Sequence, residues 1–295
     1  MYVFWFSYNV YYKIQQYSNN KLFFSKQYKY GGTIGRLRPI HLAAYFGLVQ
    51  AAGTMLLNFA SVNLQDENGI TPMLLAARNG HLEMIQKLLN FSANPNLSDN
   101  INGETPIHKA SSNGHNEIVR LLIPATDIPN APNNCGLTPI HHAARNGHVD
   151  IVQLLMHSTK TPITHANNGW TPIHEAAYNG HLEVVQLLMS TTDTPNAPDN
   201  NGWTPIHEAA MNGHLEVVRL LIPATDTPNA PNNWGQTPIH KAVVKGRLEV
   251  VRILMETTDN PNAPDIQGKT PMIIADSLGY QEIVKLLNSH KTSTT

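Results

Sequence analysis

The sequence predicts an all-α repeat, a solenoid of helix-turn-helix units joined by β-turn or hairpin fingers. Three observations predict it. The tetrapeptide Thr171-Pro172-Ile173-His174 returns as Thr204-Pro205-Ile206-His207 and as Thr237-Pro238-Ile239-His240, 33 residues further on each time, and a period of that size marks an array of one supersecondary unit. A glycine follows nine residues after the leading position of every unit, from Gly47 to Gly279. Each unit then closes in a stretch rich in Pro, Asn, Asp and Gly, as in residues 192–203.

The elements follow in order. Thr171 is a helix N-cap and Pro172 takes the first helical position, where a missing N–H does no harm and φ is already helical. The helix runs through His174-Glu175-Ala176-Ala177-Tyr178-Asn179, and Gly180 ends it by supplying a left-handed residue. Leu182, Val185 and Leu188 then recur at helical spacing, widened by Val184 and Leu187, which predicts a second, antiparallel helix. The small pair Ala176-Ala177 lets first helices of successive units approach closely while the bulkier second helices splay, so the stack is expected to curve. Eight units start at 38, 71, 105, 138, 171, 204, 237 and 270, with one spacing of 34 and the rest 33.

Length here sets repeat number and not domain number, because each unit buries its apolar face on its neighbours. The expected organisation is an aromatic-rich extension at 1–33, a repeat domain at 34–290 and a polar tail at 291–295. Twelve of the 21 aromatic residues fall in the first thirty positions, which are read as a flexible extension or a misassigned start, without a structure assigned. Six basic and no acidic residues precede Asp66, and 14 basic face 21 acidic residues from there on. Neither part carries a nucleic-acid footprint. Residues 39–65 lack Asp, Glu, Lys and Arg, yet His41, Gln50, Asn58 and Asn63 interrupt the run, so no membrane insertion is expected. Cys135 is the only cysteine, which excludes an internal disulfide and suits a reducing, cytoplasmic setting, with the nucleus left open.

The Thr-Pro-Ile-His-x-Ala-Ala start, the Gly-His-Leu-Glu-Val-Val middle and the Asn-Ala before the finger resemble the ankyrin repeat over residues 34–290. There are departures: Arg38 replaces the leading Thr, Gly53 lies inside a second helix at about 1 kcal/mol relative to Ala, Ile163 stands where other units have Asn196, Asn229 and Asn262, and the last unit reads Ala275-Asp276. The resemblance implies a non-catalytic scaffold or adaptor that binds another protein, as a monomer and without cofactor. It also implies that Asn196, Asn229 and Asn262, each eight residues after a Leu, resemble asparagines that asparaginyl hydroxylases modify. The alternative is an ankyrin segment of a larger enzyme or channel; another is a mechanical scaffold whose shape matters more than any patch.

Fifteen histidines invite a metal or catalytic reading, but those in one repeat position are separated by the helix spacing of about 8 to 10 Å, whereas zinc ligands lie within about 2.1 Å of the metal. Each is expected to hydrogen-bond its Thr and nearby backbone, holding the finger to the helix. His174-Glu175 and His207-Glu208 begin like a zinc-protease helix, but Tyr178 and Met211 stand where the second His is required. Cys135 has no base near it in sequence, and no phosphate loop of the Gly-x-x-x-x-Gly-Lys type occurs. Catalytic, cofactor and metal residues are therefore expected to be none.

The positions that change from unit to unit are the binding candidates. Fingers carry Ile70, Glu104, Cys135, Trp170, Trp203 and Trp234; first helices carry Arg78, Arg145, Tyr178, Met211 and Val244 after the Ala pair. The resemblance places them in a concave groove that contacts partners. Aromatic, Met and Arg side chains dominate interface centres, which selects Trp170, Tyr178, Trp203, Met211, Trp234 and Arg145. Stacking of the three Trp between fingers is the competing reading. Just before the Ala pair runs the row Lys109, His142, Glu175, Glu208, Lys241. Its acidic middle, Glu175 and Glu208, predicts a partner segment with apolar side chains and a Lys or Arg nearby, against a merely solvated face.

Overall fold

A computed structural model describes residues 38–58 and 60–291, without the side chains of 290 and 291; the extension expected at 1–33 lies outside the described residues, as does the tail beyond 291. Among the described residues there are sixteen α-helices and no strand. They pair as α1 (Pro39–Tyr45) with α2 (Val49–Leu57), α3 (Pro72–Asn79) with α4 (Leu82–Asn90), α5 (Pro106–Ser112) with α6 (Asn116–Leu122), and α7 (Pro139–Arg145) with α8 (Val149–Ser158). The series continues as α9 (Pro172–Asn179) with α10 (Leu182–Met189), α11 (Pro205–Asn212) with α12 (Leu215–Leu221), α13 (Pro238–Val244) with α14 (Leu248–Met255), and α15 (Pro271–Ser277) with α16 (Gln281–Lys291). Contacts divide the chain between Pro129 and Asn130 into two compact bodies. The first holds α1 to α6, the second α7 to α16.

Within each body, first helices of successive repeats pack on one another, as do second helices. Ala143, Ala144, Ala176, Ala177, Ala209 and Ala210 are wholly buried, and so are Val184, Val185 and Leu188 on the second helix. That is the expected division of labour: methyl groups where backbones approach, branched side chains where they diverge. Burial of each such Val or Leu is worth about 1.5–3 kcal/mol.

The Thr-x-x-His start is a reciprocal cap. The backbone N–H of Thr171 donates to His174 Nδ1 at 3.2 Å, and His174 N donates to Thr171 Oγ1 at 3.4 Å. An Nδ1 that accepts leaves the proton on Nε2, which donates to the backbone carbonyl of Trp203 at 3.0 Å on the next finger. His141 does the same to Trp170, His207 to Gln236 and His240 to Lys269. Each ring thus ties its own helix start to the following finger. Burial holds the neutral form: it lowers His141 to about 3 and His174 and His207 to about 4.

The helix-ending glycines all have positive φ, 77° at Gly180. A second constraint acts on the same atom. A Cβ on Gly147 would stand 2.6 Å from Nδ1 of His181 in the next repeat, whose Nε2 donates to the Arg145 carbonyl at 3.0 Å. Gly147 and the His that follows the glycine of the next repeat are therefore partners across a repeat boundary, a relation that the dipeptide alone conceals.

The fingers are turns held by side chains. Asp199 Oδ1 accepts from the backbone of Asn201 and Trp203, both at 2.8 Å, and Asn133, Asn232 and Asp265 repeat the pattern. Two backbone bonds per finger, such as Asp199 N to Trp203 O, are too few to make a strand. Fingers are joined by an asparagine ladder: Asn167 Nδ2 donates to Asn134 O, Asn200 to Asn167 O and Asn233 to Asn200 O, at 2.9, 3.0 and 3.2 Å. The single 34-residue spacing is an extra residue in one finger, where Gly103 N reaches Asp99 O four residues back, while other fingers close over three.

The asparagines flagged by resemblance are helix caps. Asn196, Asn229 and Asn262 each accept a first-turn N–H ten residues on, from Ile206, Ile239 and Met272, and Asn130 does so for Ile140. Ile163 has no such capacity, Ala166 replaces the finger's Asp or Asn, and Thr164 Oγ1 is buried without a partner.

Candidate functional site

All eight candidate residues lie in the second body, on its fingers and first helices. Repeats five and six are nearly identical copies: Thr171 to Val185 and Thr204 to Val218 differ only at Tyr178 and Met211. Their glutamates nonetheless meet different fates. Glu175, 2% exposed, is held by Arg145 in a two-point fork, Nε to Oε2 at 2.8 Å and Nη2 to Oε1 at 2.6 Å. Glu208, 4% exposed, receives no hydrogen bond or ion pair among the described residues. Burial and the nearby carboxylate of Asp199 push it up to about 7, with Glu175 adding to the rise and Lys241 opposing it.

The cause is legible in the register. Tyr178 stands one period after Arg145, so the place from which the guanidinium reaches Glu175 is held, for Glu208, by a phenol. Trp203 cannot help either. In repeats three and seven the residue after the finger glycine serves this row: Glu104 pairs with Lys109, and Gln236 Oε1 accepts from Lys241 Nζ.

The row is buried and not a solvated face: Lys109, His142, Glu175 and Glu208 are all below a tenth exposed. The acidic middle is likewise not a pair of available carboxylates, because Arg145 already occupies Glu175.

The three tryptophans do not stack on one another between the fingers. Trp170 lies over His174, 5.8 Å between centroids and 22° between planes, and leans on Tyr178 at 6.0 Å. Its indole N–H donates to Asp199 Oδ2 at 3.1 Å. Trp203 sits 5.8 Å from His207, with the Lys241 ammonium 4.0 Å over its ring. It makes no matching indole bond because position 232 is Asn, whose Oδ1 holds the turn and whose Nδ2 is left buried and unpartnered. Trp234 is two places earlier in its finger, before the glycine, and is 43% exposed. Tyr178 is 40% exposed, and Met211 is half-buried.

Among the described residues no cluster of His, Cys, Asp and Glu has the arrangement to hold a metal ion. No described helix is long and apolar enough to cross a membrane. Cys135 is exposed on its finger.

Helix pairs stacked through alanine faces, with capped starts and stapled fingers, define a repeat solenoid of the interaction-module kind. Matches to the family described as ankyrin repeats (3 copies) cover residues 40–130, 75–165, 128–199, 158–232 and 225–295, and the chain belongs to the ankyrin-repeat family. Such repeats are generally protein-interaction modules and typically non-catalytic. No curated protein matches the chain.

Proposed function

We propose that the chain is a non-catalytic adaptor that holds a segment of another protein along the finger and first-helix face of repeats four to seven. Tyr178, Met211, Trp203 and Trp234 supply the apolar contacts, Trp170 props Tyr178, and Arg145, Glu175 and Glu208 set the polar part. The observation that carries the reading is the exposure of Tyr178 and Trp234 on the same face as Glu208, a buried carboxylate without a hydrogen-bond donor among the described residues. Large aromatic side chains left in water serve interfaces more often than stability. The chain works as a monomer, in a reducing compartment that suits its single exposed cysteine, the cytoplasm.

The test begins with a partner captured from the native cell and identified by mass spectrometry. Its affinity is then measured for the wild type and for Tyr178→Ala with Trp234→Ala, two exposed side chains whose loss leaves helical circular dichroism unchanged. Aromatic anchors of this kind are worth about 1–2 kcal/mol each, so binding weakens by about tenfold or more. Equal affinity for both proteins rules out this face.

A further inference from the structure

Repeats five and six are an internal control. Their sequences from the capping Thr to the second helix differ at one position, so Glu175 and Glu208 sit in the same local frame. Asn179 Nδ2 donates to the Glu175 carbonyl at 2.9 Å and Asn212 Nδ2 to the Glu208 carbonyl at 3.1 Å. The frames differ in what the preceding repeat sends across. Arg145 sends a guanidinium that matches both carboxylate oxygens of Glu175, and planar forks of this kind are specific to Arg over Lys. At Glu208 that donor is missing: no side chain among the described residues hydrogen-bonds or ion-pairs with the carboxylate, and Lys241 of the following repeat acts on it only through its field. The protein therefore displays, one repeat away, the ligand that Glu208 lacks.

Resting on the reading of this face as a protein-binding surface, we propose that Glu208 is the receptor for an arginine side chain of the partner, which takes the place that Arg145 takes at Glu175. Tyr178 holds that place now. Its ring is 40% exposed and leans on Trp170, exposed side chains exchange rotamers quickly, and it offers the arriving guanidinium an aromatic face. Lysine fits less well, since it brings one point charge to a site whose twin is built for a fork. A methylated lysine fits poorly too, because the face of Trp203 is already covered by Lys241.

The groups around Glu208 give the interaction a pH dependence. Asp199 on the finger and Glu175 on α9 favour its protonated form, and Lys241 on α13 opposes them. Arginine is charged throughout, so it binds the ionised carboxylate and binding tightens as pH rises through about 7.

The test uses the full chain with carbon-13 in its glutamate carboxyls, titrated alone and with three capped tripeptides: Phe-Arg-Phe, Phe-Lys-Phe and Phe-citrulline-Phe, the last a neutral isostere. The arginine peptide lowers the Glu208 pKa by about 1–3 units, the range of a close carboxylate–guanidinium pair, and binds at least about tenfold more tightly than the citrulline peptide. Glu208→Gln removes the difference between the two. Tyr178→Arg, which builds the missing fork from within, lowers the Glu208 pKa without any peptide and abolishes arginine-peptide binding. Equal binding of the lysine and arginine peptides overturns the guanidinium assignment, and an unmoved Glu208 resonance overturns the site. A captured partner that loses affinity for the Tyr178→Ala, Trp234→Ala protein but binds Glu208→Gln as well as the wild type leaves the interface reading standing and defeats the arginine. An arginine effect on Glu208 with a partner indifferent to the aromatic pair does the reverse.

Discussion

Lys109 in the first body and Glu208 in the second occupy the same place, four residues after the capping Thr, and both are buried. Around Lys109 the charge is answered twice over, by Asp99 Oδ2 at 2.8 Å and by Glu104. Around Glu208 no group among the described residues donates to the carboxylate, and Lys241 acts on it only at a distance. The frame of the repeat is indifferent to which charge it carries, provided that the finger or the preceding helix supplies a counterpart. Where the finger offers Trp203 and the helix Tyr178, neither supplies a donor to the carboxylate.

The comparison can be broken most severely with acid. The second body carries four histidines in the finger-tying position, His141, His174, His207 and His240, whereas the first carries two, His41 and His108, with Leu74 there in repeat two. A histidine lowered to about 4 by burial binds fewer protons folded than unfolded. Its stabilisation is therefore present above about 6.5 and is lost as pH falls towards 4, by about 3 kcal/mol for each. Hydrogen exchange followed against pH is expected to show the second body opening before the first. Simultaneous opening of both would show that the ties contribute no difference.

Next in size is Lys109→Met, which leaves Asp99 and Glu104 buried without a cation. Removing one partner of a buried ionic group is expected to destabilise by about 3–5 kcal/mol, read as a lowered urea midpoint. Glu208→Gln should act in the opposite sense. Because the folded pKa is raised to about 7, the fold is favoured below about 4.5 and that advantage is lost as pH rises to 7. At pH 8 the substitution should stabilise by about 2–3 kcal/mol, and at pH 5 it should do little. A loss of stability at pH 8 would mean that the carboxylate has a counterpart after all. The smallest change is Asn232→Asp, which gives the Trp203 indole the acceptor that Asp199 gives Trp170 and should add about 1 kcal/mol to the thermal stability.

Much of the frame was legible in the sequence, because caps, stops and alanine faces are local: Thr171, Pro172, Gly180 and the Ala176-Ala177 pair each announce their role within ten residues. What stayed hidden runs between repeats. The Gly147–His181 contact, the Asn134 to Asn233 ladder and the Arg145–Glu175 fork join residues 30 to 34 positions apart, and a period fixes how often a residue recurs without saying which neighbour it faces. The tryptophans show the same limit. Trp170 and Trp203 are equivalent, but Trp234 lies two places off in the finger, and only the indole partners reveal that Trp170 is locked while Trp203 is held by Lys241. The burial of the acidic row, against which a solvated face was the competing reading, was hidden for a related reason: the neighbours that cover Glu208 come from other repeats.

The near-identity of repeats five and six also makes the chain editable at the level of its gene. Loss of one 33-residue unit, residues 172–204, would join Thr171 to Pro205 without altering a single junction of cap, glycine or finger. It would also bring Arg145 into register with Glu208. An in-frame deletion of that length would thus yield a shorter, intact array whose open carboxylate is closed from within, so that repeat number alone would switch recognition off.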